Sequence, residues 1–142
     1  MRNEILEFWS WEFGVPENFL GEYGFYKIGE NKAWMFDGEF DDEPVNEALG
    51  LPFLRINQEH PKPTSVALQY LGDHVSNNRI KLDQQETRRF VNGETVEQEF
   101  EVESLGYVAV SFDGNILGCG LYFPGELRSQ IPKSMRVDGL LI

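Results

Sequence analysis

The chain's 142 residues suit one domain, or two very small ones sharing an interface. Its 41% hydrophobic and 13% aromatic content can build a sizeable core and argues against disorder, while a lone cysteine excludes an internal disulfide and a thiol-based metal cage. A formal net charge of −12 speaks against a nucleic-acid partner unless the cations are gathered in one place.

Met1-Arg2-Asn3-Glu4 leads into a charged segment without an apolar signal core, so export is not expected. No stretch approaches the roughly 20 apolar residues of a membrane span, and a soluble, cytoplasmic protein is expected. Residues 3–13 place Ile5, Leu6, Phe8, Trp9 and Phe13 at mixed three- and four-residue spacings, which predicts a short amphipathic helix. Asn3 is its expected N-cap, and Gly14 with Pro16 ends it. Two aromatic-rich strands, 25–29 and 32–36, flank Glu30-Asn31 as a hairpin. Residues 37–47 carry Asp37, Glu39, Asp41, Asp42, Glu43 and Glu47 and read as a solvated acidic loop, because the calcium-loop ligand pattern is incomplete.

A strand over 52–57 precedes the stiff Pro61-Lys62-Pro63 link. Thr64 then caps a helix through about Leu71, stopped by Gly72. Arg79-Ile80-Lys81-Leu82 predicts a short strand. Asp83 caps a helix to about Val91, before an Asn92-Gly93 turn. Residues 94–104, Glu-rich with Val96, Phe100 and Val102, suggest an exposed strand or hairpin arm. From Tyr107 the pattern is strand, Asp113-Gly114 turn, a strand punctuated by Gly118 and Gly120, and a basic closing strand with Lys133 and Arg136. The expected fold class is α+β. A small mixed α/β unit over 1–77 would be followed by a β-barrel over 78–142.

Charge divides unevenly along this order. Residues 1–49 hold three cations against twelve carboxylates, whereas residues 50–90 hold six cations against four. Half of all the lysines and arginines thus fall in the middle of the chain, so a locally basic face on an acidic protein is compatible with the sequence.

The order from Ile80 to Arg136 (strand, helix, Asn-Gly turn, hairpin arms, glycine-rich strand, basic Pro-Lys-x-x-Arg segment) resembles a PUA domain, the small RNA-binding barrel of pseudouridine synthases and archaeosine transglycosylases. Upstream, Gly14-Val15-Pro16-Glu17-Asn18-Phe19, Lys62-Pro63-Thr64-Ser65-Val66-Ala67-Leu68-Gln69 and Leu71-Gly72 resemble the C-terminal extension of the Sun/Nop-type RNA 5-methylcytosine methyltransferases. The resemblance implies a non-catalytic, cofactor-free protein that engages structured RNA, tRNA or rRNA, in RNA modification or ribosome maturation. A catalytic half is not encoded here, since such an enzyme needs a glycine-rich cofactor loop and two active-site cysteines. Family positions for RNA contact map onto Lys81, Arg88, Arg89, Gly93, Lys133 and Arg136, with Arg128 and Ser129 in second rank. Arginine and lysine neutralise phosphates there, and glycine lets backbone approach. Glu94, Glu97 and Glu99 depart from that pattern beside the turn.

Plainer readings accompany each of these. Lys133 and Arg136 equally suit solvated strand ends, and Gly118 and Gly120 suit bends or bulges rather than a phosphate cradle. Cys119 reads as a small buried core residue, and His60 and His74 as solvent-exposed loop histidines rather than metal ligands. The aromatic load of the first 36 residues reads as a core between the first helix and the hairpin. The alternative function is an acidic accessory subunit whose first third docks on a basic protein or an RNA methyltransferase.

Overall fold

In the computed structural model, residues 2–36, 50–56 and 60–136 are described. The acidic 37–47 segment lies outside them. Helix α1 spans Arg2–Phe13 and buries Ile5, Leu6, Trp9 and Phe13 of the periodic set read from sequence, with Phe8 half-buried. It begins at Arg2, so Asn3 is an internal residue and not a cap. The Arg2 guanidinium instead donates to the carbonyls of Gly21 and Tyr23, fastening the helix start to the chain that follows the short helix α2, Glu17–Leu20. At the other end Gly14 takes a positive φ of 68°, and its N–H closes on the Ser10 carbonyl.

The first sheet is antiparallel in the order β1 (Gly24–Ile28), β2 (Lys32–Phe36), β3 (Gly50–Arg55) and β4 (Lys62–Pro63). The aromatic hairpin therefore forms as expected, whereas the third strand ends at Arg55, two residues before the predicted limit. Helix α3 (Ser65–Leu71) starts under Thr64, whose Oγ1 accepts the Ala67 N–H at 3.1 Å and donates to the Pro52 carbonyl at 2.6 Å. One hydroxyl both caps the helix and ties it to β3.

The second sheet runs β5 (Arg79–Lys81), β6 (Gly106–Phe112), β7 (Asn115–Phe123) and β8 (Glu126–Ser129). Strands β5 and β6 are parallel, and the crossover between them carries α4 (Gln84–Val91). Asp83 and Glu86 form a reciprocal capping box at its start. The β6–β7 turn has positive φ at both Asp113 (50°) and Gly114 (82°), as a two-residue hairpin loop matched to strand twist requires. Among the described residues this sheet stays open, with β5 and β8 at its two edges.

Two further sequence expectations change. Residues 94–104 form no strand; Val96 makes a single bridge to Leu127, and Phe100 and Val102 fold back onto the core while Glu97 and Glu101 are exposed. The basic closing segment is not a strand either. Lys133–Met135 is a 3-10 turn, entered from Pro132 at φ −58° and closed by the Met135 N–H on the Pro132 carbonyl. Proline cannot donate to a ladder, and Met135 turns inward to pack against buried residues.

Strands β6 and β7 are covered on both faces, which explains an apolar run without alternation. Ala109, Ile116 and Cys119 join a core with α1, α3 and the first sheet, centred on Trp9, Phe13 and Phe53. Val108, Val110 and Tyr122 join a second core with Phe90 of α4, Leu127 and Ile131. Gly118 and Gly120 admit these partners closely. A Cβ on Gly118 would lie 2.7 Å from Ser65 Oγ, and one on Gly120 would lie 2.7 Å from Leu127 Cδ1. The Ser65 hydroxyl itself accepts the Cys119 N–H at 2.9 Å.

Residue 78, where a division into two units was expected, is a junction. Buried Asn78 (φ 52°) donates from Nδ2 to the Glu12 carbonyl at 2.8 Å and accepts the Ser104 N–H at 3.0 Å. Its own carbonyl takes the Ala109 N–H at 2.8 Å. One residue thereby links α1, the loop before β6, and β6 itself.

Candidate RNA interface

Helix α4 buries Thr87, Phe90 and Val91 against the second sheet, leaving Arg88 and Arg89 exposed in its last turn. There they also complement the negative end of the helix dipole. The chain then turns through Gly93 at φ 85°. Directly over that glycine lies the Arg136 guanidinium: a Cβ built on Gly93 would stand 2.6 Å from both Cζ and Nε of Arg136. Arg136 Nε donates to the Ile131 carbonyl at 3.2 Å, which fixes the stem while the residue remains exposed. Two positions 43 residues apart, singled out from sequence for one groove, are in contact. Lys133 is exposed in the 3-10 turn that immediately precedes Arg136.

The remaining expected positions behave differently. Arg89 is engaged by the Thr95 carbonyl, through Nε at 3.3 Å and Nη2 at 3.1 Å, so its charge is partly committed to holding the Gly93 loop. Lys81, Arg88 and Lys133 have neither ion pair nor hydrogen bond from their charged groups among the described residues. Lys81 stands on the edge strand β5, whereas Arg128 stands on the opposite edge, β8. Three strand spacings, roughly 14 Å, separate those edges. Arg128 is moreover paired to Glu126 at 2.8 Å, and that hydrogen bond raises its pKa further above the ordinary arginine value. Ser129 Oγ accepts the Ile131 N–H at 3.3 Å and serves the turn into the closing segment. Of these positions the fold brings Arg136 onto Gly93 and ties Arg89 to the loop that follows it, while Arg88 and Lys133 are exposed in the elements that lead to Gly93 and to Arg136. Arg128 is apart.

The glutamates beside the turn are not all solvent-facing repellents. Glu99 Oε2 accepts the Tyr122 hydroxyl at 3.2 Å, and the same hydroxyl accepts the Phe100 N–H at 2.8 Å. Glu94 and Glu97 remain exposed.

Sequence reasoning passed over Lys62. Its Nζ donates to Gln130 Oε1 at 2.8 Å and stands 5.7 Å from the centroid of the Tyr107 ring. The 68-residue separation of Lys62 and Gln130 leaves no local signal for that contact.

The two histidines stand in different surroundings. His74 stacks on Phe19 at 3.9 Å between ring centroids, and His60 lines a groove of about 680 Å³ with Phe8, Glu12, Tyr107 and Phe123. Cys119 is fully buried, and desolvation pushes its thiol up to about 12 despite the opposing field of Lys62. It should therefore stay protonated and inert. Modification by an aromatic disulfide reagent at pH 8 is expected to be slow in the native protein and immediate in denaturant; equal rates would contradict this burial. Because the folded-state pKa is raised, the folded form holds this proton where the unfolded chain has lost it. Its stabilising contribution is complete below the unfolded value of 9.0 and is lost as pH rises towards about 12.

No helix of the described residues is long and apolar enough to cross a membrane. Comparison with known families finds two matches. Residues 1–50 match a family of unknown function (DUF7122), and residues 77–137 match the methyltransferase RsmF PUA domain. No curated protein matches the chain. The second match covers β5 through the 3-10 turn, the elements that bring Gly93 and Arg136 together. Residues 77–137 are therefore a PUA-like domain, resembling the C-terminal region of the Sun/Nop-type RNA methyltransferases.

Proposed function

We propose that this protein is a non-catalytic, cytoplasmic RNA-binding protein of PUA type, which engages structured RNA, tRNA or rRNA, in RNA modification or ribosome maturation. In this reading residues 78–142 act as the RNA-binding unit, with any methyl transfer performed by a separate enzyme. The observation that carries it is the Arg136 guanidinium held over the bare backbone of Gly93, with exposed Arg88 in the helix that leads to Gly93 and exposed Lys133 in the turn that leads to Arg136. A guanidinium beside a side-chain-free turn offers a phosphate both a charged fork and close backbone approach. Cys119, buried and protonated, is unsuited to act as a nucleophile.

Filter binding of a folded tRNA across a salt series tests the proposal. Binding is expected at low salt, with log affinity falling linearly against log salt by about 0.9 for each phosphate contacted. Lys133→Gln with Arg136→Gln is expected to flatten that line. Absent binding at low salt, or binding indifferent to salt, would overturn the reading.

A further inference from the structure

The first sheet carries a cationic row that the charge count could not reveal. Its register sets Lys32 directly opposite Arg55, and Arg55 directly opposite Lys62. Directly paired residues point to the same face of a sheet, so three positive side chains on β2, β3 and β4 stand abreast. Adjacent strands lie about 4.8 Å apart, which makes the row roughly 10 Å long. Like charges directly opposite one another destabilise a sheet. Among the described residues neither Lys32 nor Arg55 has an acidic partner to relieve them, and both are exposed.

Two members of the row, Lys32 and Arg55, border the 3-10 turn of the closing segment. A concavity of about 240 Å³ is lined by Lys32, Arg55 and Thr64 together with Pro132 and Met135, at the two ends of the 3-10 segment. Lys133 lies between those two residues in the chain, and Arg136 follows them. Lys62 closes the end of the row by donating to Gln130, just upstream of the same turn. We infer that Lys32, Arg55 and Lys62 form a second phosphate-binding strip, continuous with the Gly93–Arg136 site, over which the RNA backbone runs onto the N-terminal sheet. This inference rests on the RNA-binding reading and extends it: the first sheet is part of the interface rather than a spacer. A polyanion removes the mutual repulsion of the row and releases its counterions as it binds.

The test compares two charge-neutralised proteins, Lys32→Gln/Arg55→Gln and Lys133→Gln/Arg136→Gln, with wild type. Each is titrated with the same tRNA between about 50 and about 200 mM salt. Neutralising the row is expected to weaken binding about tenfold and to reduce the salt slope by roughly 1.4–1.8, the sum for two lost contacts. Thermal unfolding should hold steady or improve, because the change removes like-charge repulsion; this separates lost contacts from lost fold. If only the Lys133/Arg136 protein is impaired, the strip is overturned and the RNA reading stands. Impairment of the row protein alone upholds the strip and removes the Gly93 groove. If wild type binds no RNA, both ideas fall together.

Discussion

Replacing Trp9 with alanine is expected to lower the free energy of unfolding by about 3–5 kcal/mol, the usual cost of deleting a large buried ring. Trp9 is fully buried, with ring centroids 4.6 Å from Phe53 and 5.3 Å from Phe13. It belongs to the core that also holds Ala109, Ile116 and Cys119 of the second sheet. The cavity would open where the two halves of the chain share their packing. Against a typical total of about 5–15 kcal/mol, such a loss is large. The measurement is a urea midpoint at unchanged slope, followed by both fluorescence and circular dichroism. Trp9→Phe should behave quite differently. The indole Nε1 is buried without a hydrogen-bond partner among the described residues, and removing such a donor regains about 1–3 kcal/mol of desolvation. That gain offsets much of the lost ring area, so near wild-type stability is expected. A cost below about 1 kcal/mol for Trp9→Ala would show that this indole does not organise the core.

What could be read from sequence was what is decided locally. Thr64 and Asp83 announce their helices because a cap needs only a side-chain oxygen and an N–H three residues on. Asp113-Gly114 announces its turn because two adjacent residues must take positive φ. The closing segment misled because a basic run after a glycine-rich strand suggests another strand; the deciding contact, Met135 against the second core, is made far along the chain. Residues 94–104 misled because alternation without a partner edge is not a strand. Only Val96 found one, on Leu127.

The candidate site follows the same division. Gly93 and Arg136 could be matched through a family pattern, yet their contact depends on where the chain goes after Ile131. Arg128, a second-rank candidate in sequence, is paired off by Glu126, two residues away on the same strand. The Lys32–Arg55–Lys62 row was out of reach altogether. Its alignment is set by the register of three strands, two of which follow segments outside the described residues. Asn78 gave no warning either, because its partners Glu12 and Ser104 come from both directions along the chain.

Gly93→Ala provides the sharpest test of whether the glycine and the arginine act together. Holding an L-residue in left-handed backbone costs about 1–2 kcal/mol, so a modest loss of stability is expected on that ground alone. The added methyl would also collide with the Arg136 guanidinium, the far end of a flexible side chain. That end can swing away at little cost to folding, but the cation then leaves its place over the turn. RNA affinity should consequently fall about as far as in Arg136→Gln. Losing a hydrogen bond to a charged group, about 1.5–3 kcal/mol, corresponds to a drop of roughly 10- to 150-fold. The double variant discriminates, because a displaced cation cannot be lost twice. Gly93→Ala combined with Arg136→Gln should bind RNA no more weakly than Arg136→Gln alone, giving a large coupling energy in the cycle. Independent, additive losses would mean that Gly93 contributes through its own backbone and that the arginine above it is a bystander.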